Sequence, residues 1–490
     1  MPVQGTISNI SENLKQKSRG VKTQKRMTPL RRYGQTAIAA LPDSGGCGSM
    51  RALCSHQSSL TLMPGQAGFG GVLRTLQHRN FRIYISGASI SLIGTWMQRV
   101  AVGWLTWELT ESGFWLGLVA CADLLPAVFV GPFGGVVADR YNRIKIMLTA
   151  QSVSLCQAIA LFALTATGNA TVELLALLVL INGIAMGFNQ PSRLALMPSL
   201  VPREDLSTGI AINSIIFNLA RFIGPAVAGL LIVTVGVQGA FGANALTFSA
   251  FLIALLRIRV PRRPDRGKGK VPPSIWVQLG EGFSYAARHP GIGPMLLLLA
   301  TASLSVRPFV ELMPGFADRV FGGGADTLAL LTSTVGIGAV MSGLWVARRG
   351  GGGLTRLVLL NTLLLSFSML AFVASDWIWL GLASAAIAGM AMVATGVSMQ
   401  TLLQMAVDGD LRGRVLSLYG IIFIGGPAAG ALIMGALSEY IGLRLPLAFG
   451  AILVMLMWIR TWRRRVAITA ALEPSHSEVR PGPDQTESKA

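Results

Sequence analysis

Apolar residues run in long, nearly charge-free blocks from about residue 81 to residue 462. The clearest lie at 174–186 with its flanks, 246–256, 295–304, 357–374 and 445–459. About 20 apolar residues cross the hydrocarbon layer of a bilayer, and the blocks leave no room for a large soluble domain. The pattern predicts about twelve membrane helices, near 81–109, 113–138, 144–166, 172–188, 211–235, 241–256, 292–315, 327–347, 357–374, 377–399, 415–437 and 445–462. The expected fold class is all-α integral membrane.

The polar stretches divide the chain. Residues 1–71 are rich in Ser, Gly, Lys and Arg and read as a disordered basic segment. Their composition also resembles a transit peptide, and Met50 or Met63 are candidate starts of translation. Residues 72–256 form a first six-helix bundle, 257–291 a basic cytoplasmic linker, 292–462 a second six-helix bundle, and 463–490 a disordered tail.

Composition supports a membrane protein. The chain is 52% hydrophobic and 13% charged, against about 25% charged for soluble domains. Its 57 glycines suit helices packed closely in lipid. A net charge of +19 is of a size seen in nucleic-acid binders, but here the basic residues sit in the tails and alternate loops, so no nucleic acid partner is expected. Arg140, Arg143 and Lys145 follow helix 2, and Arg193 and Arg203 follow helix 4. A basic run from Arg257 to Lys270 follows helix 6, Arg348, Arg349 and Arg356 follow helix 8, and Arg412 and Arg414 follow helix 10. Arg319 and Arg444 are exceptions on the other side. Positive loops stay in the cytoplasm, so both termini are expected there.

Cys47, Cys54, Cys121 and Cys156 and the scattered histidines show no ligand spacing, so no metal is expected. A phosphate-binding loop, a nucleophile elbow and an H-E-x-x-H helix are all missing. The chain therefore reads as no enzyme and as no consumer of ATP. Active transport would then draw on an ion gradient, with no cofactor. Nothing in the sequence names a protein partner.

Two segments echo each other. Helix 5 contains Gly224-Pro225 and Gly229, and helix 11 contains Gly426-Pro427 and Gly430. Each follows an Asp-Leu pair, Asp205-Leu206 or Asp410-Leu411. Repeated halves that rock against each other are a device of transporters.

Ionisable residues inside a membrane are functional candidates by default. Arg99, Asp123, Arg221 and Arg307 lie within predicted helices, and Glu311 lies nearer the end of helix 7. Arg99 and Asp123 fall at similar depths and could pair. Arg307 and Glu311 are spaced i, i+4, so they share a face. Asp123 or Glu311 is the expected proton carrier, tuned by a neighbouring arginine, and a fixed ion pair is the competing reading. Trp96 and Gln98 are candidates for the pathway wall, although core packing explains Trp96 as well. Trp104 and Trp107 read as interfacial anchors. Asn182, Asn189, Gln190, Thr395, Ser398 and Gln400 could face a central pathway or serve packing.

The loop after helix 2, with Gly135, Asp139, Arg140, Arg143 and Lys145, resembles the signature loop of the major facilitator superfamily. Asn142 stands where that family commonly has Gly. Gly224, Pro225 and Gly229 resemble the Gly-Pro motif of its exporters. Further segments resemble the bacterial branch of enterobactin-type siderophore exporters and macrolide-efflux-like proteins. They are Gly94 to Gln98, Leu116 to Val119, Asn218 to Pro225, Arg307-Pro308 with Glu311 to Pro314, and Arg412 to Val415.

The resemblance implies the major facilitator fold, two pseudo-symmetric six-helix bundles in the bacterial inner membrane. It implies export of an organic small molecule (siderophore, drug or secondary metabolite) by proton antiport with alternating access. The expected partners are that substrate and the lipid bilayer. Uptake or lipid flipping by the same fold, and a membrane sensor or scaffold that does not transport, are the rival readings.

Overall fold

The computed structural model describes residues 69–259, 275–349, 352–407 and 409–473. The expected start sites and most of the N-terminal segment lie outside the described residues, as do the basic run 262–270 and the tail beyond 473.

Among the described residues, twelve helices build the two halves of the molecule. In the first half these are α1 (Arg79–Thr110), α2 (Gly113–Arg140), α3 (Arg143–Ala166), α4 (Val172–Leu196), α5 (Leu206–Val235) and α6 (Val237–Arg257). In the second they are α7 (Ile292–Ser305), α8 (Ala325–Arg349), α9 (Leu354–Ala374), α10 (Ile378–Ala406), α11 (Gly409–Gly420, continued as Gly426–Ile441) and α12 (Arg444–Arg463). Eleven spans among the described residues are long and apolar enough to cross a bilayer. α1 is long enough too, at 32 residues, but is diluted by Ser, Gly, Thr, Gln98 and Arg99.

Short polar residues start several helices by taking up orphan amides. Ser112 accepts from Trp115 N at the head of α2, and Thr171 accepts from Leu174 N at the head of α4. Asn142 accepts from Ile144 N and Lys145 N at the head of α3. The residue that departs from the family's usual Gly thus serves as an N-cap.

The repeat is visible in the packing. In the first half, α1 packs on α5 and α6, α2 on α4, and α3 on α4 and α6. The second half matches it: α7 packs on α11 and α12, α8 on α10, and α9 on α10 and α12. The corresponding turns share one backbone shape. Gly236, between α5 and α6, has φ 88° and ψ 173°. Gly442, between α11 and α12, has φ 76° and ψ 168°. L side chains rarely adopt that φ, so glycine is required in both turns.

Close backbone approach holds each bundle together, because small residues let helices touch. A Cβ on Gly338 of α8 would overlap the carbonyl oxygen of Ala386 in α10 and lie 2.8 Å from its carbon. Backbone cannot move aside as a side chain can. Gly338→Leu is therefore expected to cost about 3 kcal/mol or more and to remove folded protein from the membrane fraction in a detergent-extraction and size-exclusion assay. Normal folded yield would show that α8 and α10 can separate without harm.

The sequence predicts α7 as one helix over 292–315. Instead the α-helix ends at Ser305, a 3-10 turn follows over Arg307–Val310, and a π-helical turn covers Phe316–Val320. Pro308 and Pro314 cause this, since each lacks an amide for the helical ladder. The expected disordered tail and linker also contain helices. Arg465–Leu472 is helical, with Ile468 and Leu472 buried at i, i+4. Ile275–Arg288 is a helix tied to α11 by Glu281 and Arg414, 2.6 Å apart. Phe69–Gln77 is helical as well, and Arg74 and His78 both bond Asp205 at the head of α5.

The halves meet through α2 with α11 and α5 with α8. Their polar contacts gather at one end, that of the odd-numbered loops. Glu439 of α11 accepts from Ser112 Oγ (2.7 Å) and Phe114 N (3.0 Å). Trp107 Nε1 donates to Asp318 (2.9 Å), and Arg319 pairs with Glu111 (3.2 Å). Cys121 Sγ donates to the carbonyl of Ala428 at 3.0 Å. At the opposite end, Asp139 and Arg140 are exposed, and Asp139 has no ion-pair partner among the described residues. The molecule is closed at the odd-loop end.

Candidate functional site

The site lies where α1, α2, α5, α7 and α8 converge beneath the closed end. Arg99 of α1 is its centre. Its Nη2 lies 3.0 Å from Glu311, just past the break in α7, and 3.5 Å from Asp123 of α2. The guanidinium sits 5.6 Å from the Trp96 ring centroid, and Arg221 of α5 lies 5.3 Å from the same ring. Trp96 is thus a wall between two cations. Cation–π attraction gives that arrangement a physical basis, and Phe217 meets the ring edge-on at 5.9 Å.

A small cavity of about 70 Å³ is lined by Trp96, Arg99, Arg221 and Glu311 together with Pro225, Val310, Pro314 and Thr332. That is room for water and protons rather than for a large organic molecule in this closed arrangement. Arg99 joins α2 of its own half to Glu311 of the other half. Breaking the second contact removes a charged tie between the bundles.

Arg307 does not pair with Glu311. It donates to Phe423 O at 3.0 Å and to Ser303 Oγ at 3.3 Å, and it stacks 4.0 Å from the Phe423 ring centroid. The i, i+4 argument fails because 3-10 geometry advances about 120° per residue rather than about 100°. Among the described residues Arg307 Nε is buried without a partner. Neither Arg221 nor Arg307 has a carboxylate within ion-pair distance there. Within the bundles, three guanidiniums face two carboxylates at these positions.

The structure brings together Arg99, Asp123, Arg221, Glu311 and Trp96. It does not bring Gln98 to them. Gln98 is buried in the first half, donating to Gln157 (2.9 Å) and accepting from Asn244 (2.7 Å). That ladder ties α1 to α3 and α6. Trp107 is no interfacial anchor, being only 2% exposed and bonded to Asp318. The sequence reading missed this partner and the Glu439 clasp, which join residues more than 200 positions apart. Of the polar candidates, Asn182 accepts from Ser154 within its own half at 2.7 Å. Thr395 and Ser398 are buried, and among the described residues their hydroxyls have no partner.

The Gly-Pro motif lies between helices that must pass close. A Cβ on Gly224 would come 2.5 Å from Trp96 Cβ, and one on Gly229 would overlap Ala329 of α8. Gly426, its counterpart in α11, faces Ser303 of α7 at 2.6 Å. Corresponding glycines therefore pack on corresponding helices. In the signature loop, Arg143 donates to the carbonyls of Ala138 (3.3 Å) and Ala195 (2.9 Å), fastening α2 to α4. Lys145 is exposed and Gly135 faces open space.

Two pseudo-symmetric six-helix bundles with a charged midsection define a transporter of the major facilitator type. The comparisons with known proteins narrow the class. Residues 71–488 match the transmembrane secretion effector family, and the chain belongs to it. The enterobactin exporter EntS of Escherichia coli is 28% identical over 365 residues, which is 74% of this chain and 86% of that protein. The staphyloferrin A transporter of Staphylococcus aureus is 22% identical over 264 residues, 53% of this chain and 65% of that protein. The crystal structure of a bacterial homologue of the human lysosomal transporter Spinster, inward-facing and unoccupied, aligns with a TM-score of 0.59 at 16% identity. That alignment covers 83% of this chain and 99% of the other. It supports the fold.

Proposed function

We propose that the protein is a secondary active exporter of an anionic organic molecule, of the siderophore kind, driven by proton antiport with alternating access. The observation that carries this reading is the Arg99 bridge between Asp123 and Glu311, which spans the two halves at the closed end. The basic even loops support a cytoplasmic location for both termini. The closed end then faces outward, and the bacterial relatives support placement in the inner membrane.

The cycle follows from competition for Arg99. With both carboxylates ionised, Arg99 holds the outer end shut. An anionic substrate entering from the cytoplasm displaces Glu311 from the guanidinium and loosens the tie. The outer end opens and the substrate leaves. Glu311 or Asp123 then takes a proton from outside, and the neutral acid enters the closing, less hydrated site at lower cost than a carboxylate parted from its arginine. Re-formation of the Arg99 pair releases the proton inward. Arg221 and Arg307, without carboxylate partners among the described residues, supply positive potential for the anion. Names of the relatives, an enterobactin exporter and a staphyloferrin A transporter, agree with such a substrate.

The test uses a strain lacking the gene, complemented with the intact gene or an Asp123→Asn copy. The intact gene is expected to restore secretion of a siderophore or tolerance of a toxic compound. The Asp123→Asn copy is expected to restore little of either at equal membrane abundance. Full activity of that variant would remove Asp123 from the coupling step.

A further inference from the structure

A second cavity lies far from the charged midsection. It holds about 410 Å³ at the even-loop end of the second bundle, among α7, α11, α12 and the helix Ile275–Arg288. Leu297, Ala300, Leu418 and Met457 line its length, and Arg460 and Arg464 stand at one end. Nothing in the transport cycle above uses it. The groove opens outward, since Leu297 is 50% exposed and Phe283 is 64% exposed.

The two arginines are one helical turn apart and so stand side by side. Both are exposed, and among the described residues neither has an acidic partner. Nearby described carboxylates are engaged elsewhere. Glu281 pairs with Arg414 at 2.6 Å, and Glu473 accepts from Leu354 N and Thr355 N at the head of α9. An apolar channel ending in two unopposed guanidiniums complements an anionic amphiphile. Basic pockets between membrane helices on the cytoplasmic side hold acidic lipid headgroups, and a guanidinium pair suits a phosphodiester.

We propose that this groove binds one anionic phospholipid. Its phosphodiester sits between Arg460 and Arg464, and one acyl chain lies along Leu297, Ala300, Leu418 and Met457. The lipid wedges the helix Ile275–Arg288 against α7 and α12. The site is independent of the transport reading and stands or falls without it.

The test is native mass spectrometry of the full chain in detergent, titrated with phosphatidylglycerol, with phosphatidylcholine of the same chains, and with inorganic phosphate. Phosphatidylglycerol is expected to be retained in preference to phosphatidylcholine. Arg460→Gln with Arg464→Gln is expected to lower that retention roughly thirty-fold, and the paired Lys substitutions are expected to keep most of it. Both arginines are exposed, so the core is untouched by either pair. Ala300→Phe fills the channel, keeps the arginines, and is expected to lower retention as well. Equal retention of the two lipids, or retention unchanged by the paired Gln substitutions, overturns the proposal. So does displacement by inorganic phosphate at the lipid's own concentration, which marks a bare anion site. Binding that emerges only when residues 474–490 are removed assigns the groove to the chain's own tail and also overturns it.

Discussion

Glu311→Gln is expected to abolish uphill export while leaving exchange of substrate across the membrane intact. Among the described residues, Glu311 is the one carboxylate that Arg99 reaches in the opposite half, at 3.0 Å. Gln keeps the shape and can still accept a hydrogen bond, but it cannot carry a titrating proton. The driving force at stake is large. One charge crossing about 100 mV is worth about 2.3 kcal/mol, which sustains a concentration ratio of about fifty-fold. In proteoliposomes with an imposed proton gradient, the intact protein should build such a ratio with enterobactin or staphyloferrin A as probes. The variant should reach only equal concentrations on the two sides. Counterflow of labelled against unlabelled probe should persist, because Arg99 keeps Asp123 at 3.5 Å and the helices stay packed. Undiminished accumulation by the variant would move the proton to another group, with Asp123 the first to test. Loss of counterflow as well would mean that Glu311 is needed to bind substrate, not to couple it.

The helices themselves could be read from the chain because bilayer thickness turns hydrophobicity into length. All twelve predicted spans overlap observed helices. The signature loop and the Gly-Pro motif were visible too, since glycine and proline act through the backbone wherever they stand. What failed were inferences that needed a neighbour. Arg307 and Glu311 were paired by spacing, yet Pro308 and Pro314 on either side of Glu311 carry the warning that the helix breaks. Gln98 looked like a pathway residue because a polar group in a membrane helix must be satisfied somewhere. Its partners, Gln157 and Asn244, lie on α3 and α6, and spacing along one chain cannot show that. Trp107 looked like an anchor because its position near a helix end is visible and its bond to Asp318 is not. The helix Arg465–Leu472 was legible in principle, since Ile468 and Leu472 repeat at i, i+4 in an otherwise polar tail.

Gly117→Leu is expected to hold the outer end open. On α2, a Cβ at Gly117 would overlap the carbonyl oxygen of Ala431 and come within 2.7 Å of Leu432 Cα in α11. Gly435 of α11 meets the carbonyl of Gly113 in the same way. These are backbone contacts between the two halves, with no flexible side chain to yield. They differ from Gly338, whose neighbour belongs to its own bundle. A leucine at Gly338 strains both conformations and should unfold the protein. One at Gly117 strains only the state in which α2 and α11 touch. A penalty of about 3 kcal/mol in that state alone shifts the balance between states by roughly a hundred-fold. The readout is a cysteine at Val310, which lines the cavity beside Glu311, in a chain whose native cysteines are replaced by serine. An impermeant thiol reagent added outside the cell should modify it slowly in the parent and quickly with Gly117→Leu, while melting in detergent changes little. Transport should stop, because the cycle requires both closures. Equal labelling rates in two well-folded proteins would show that contact between α2 and α11 is scaffold rather than gate. Alternating access would then have to work through α5 and α8, where Gly229 and Gly336 make the corresponding approach.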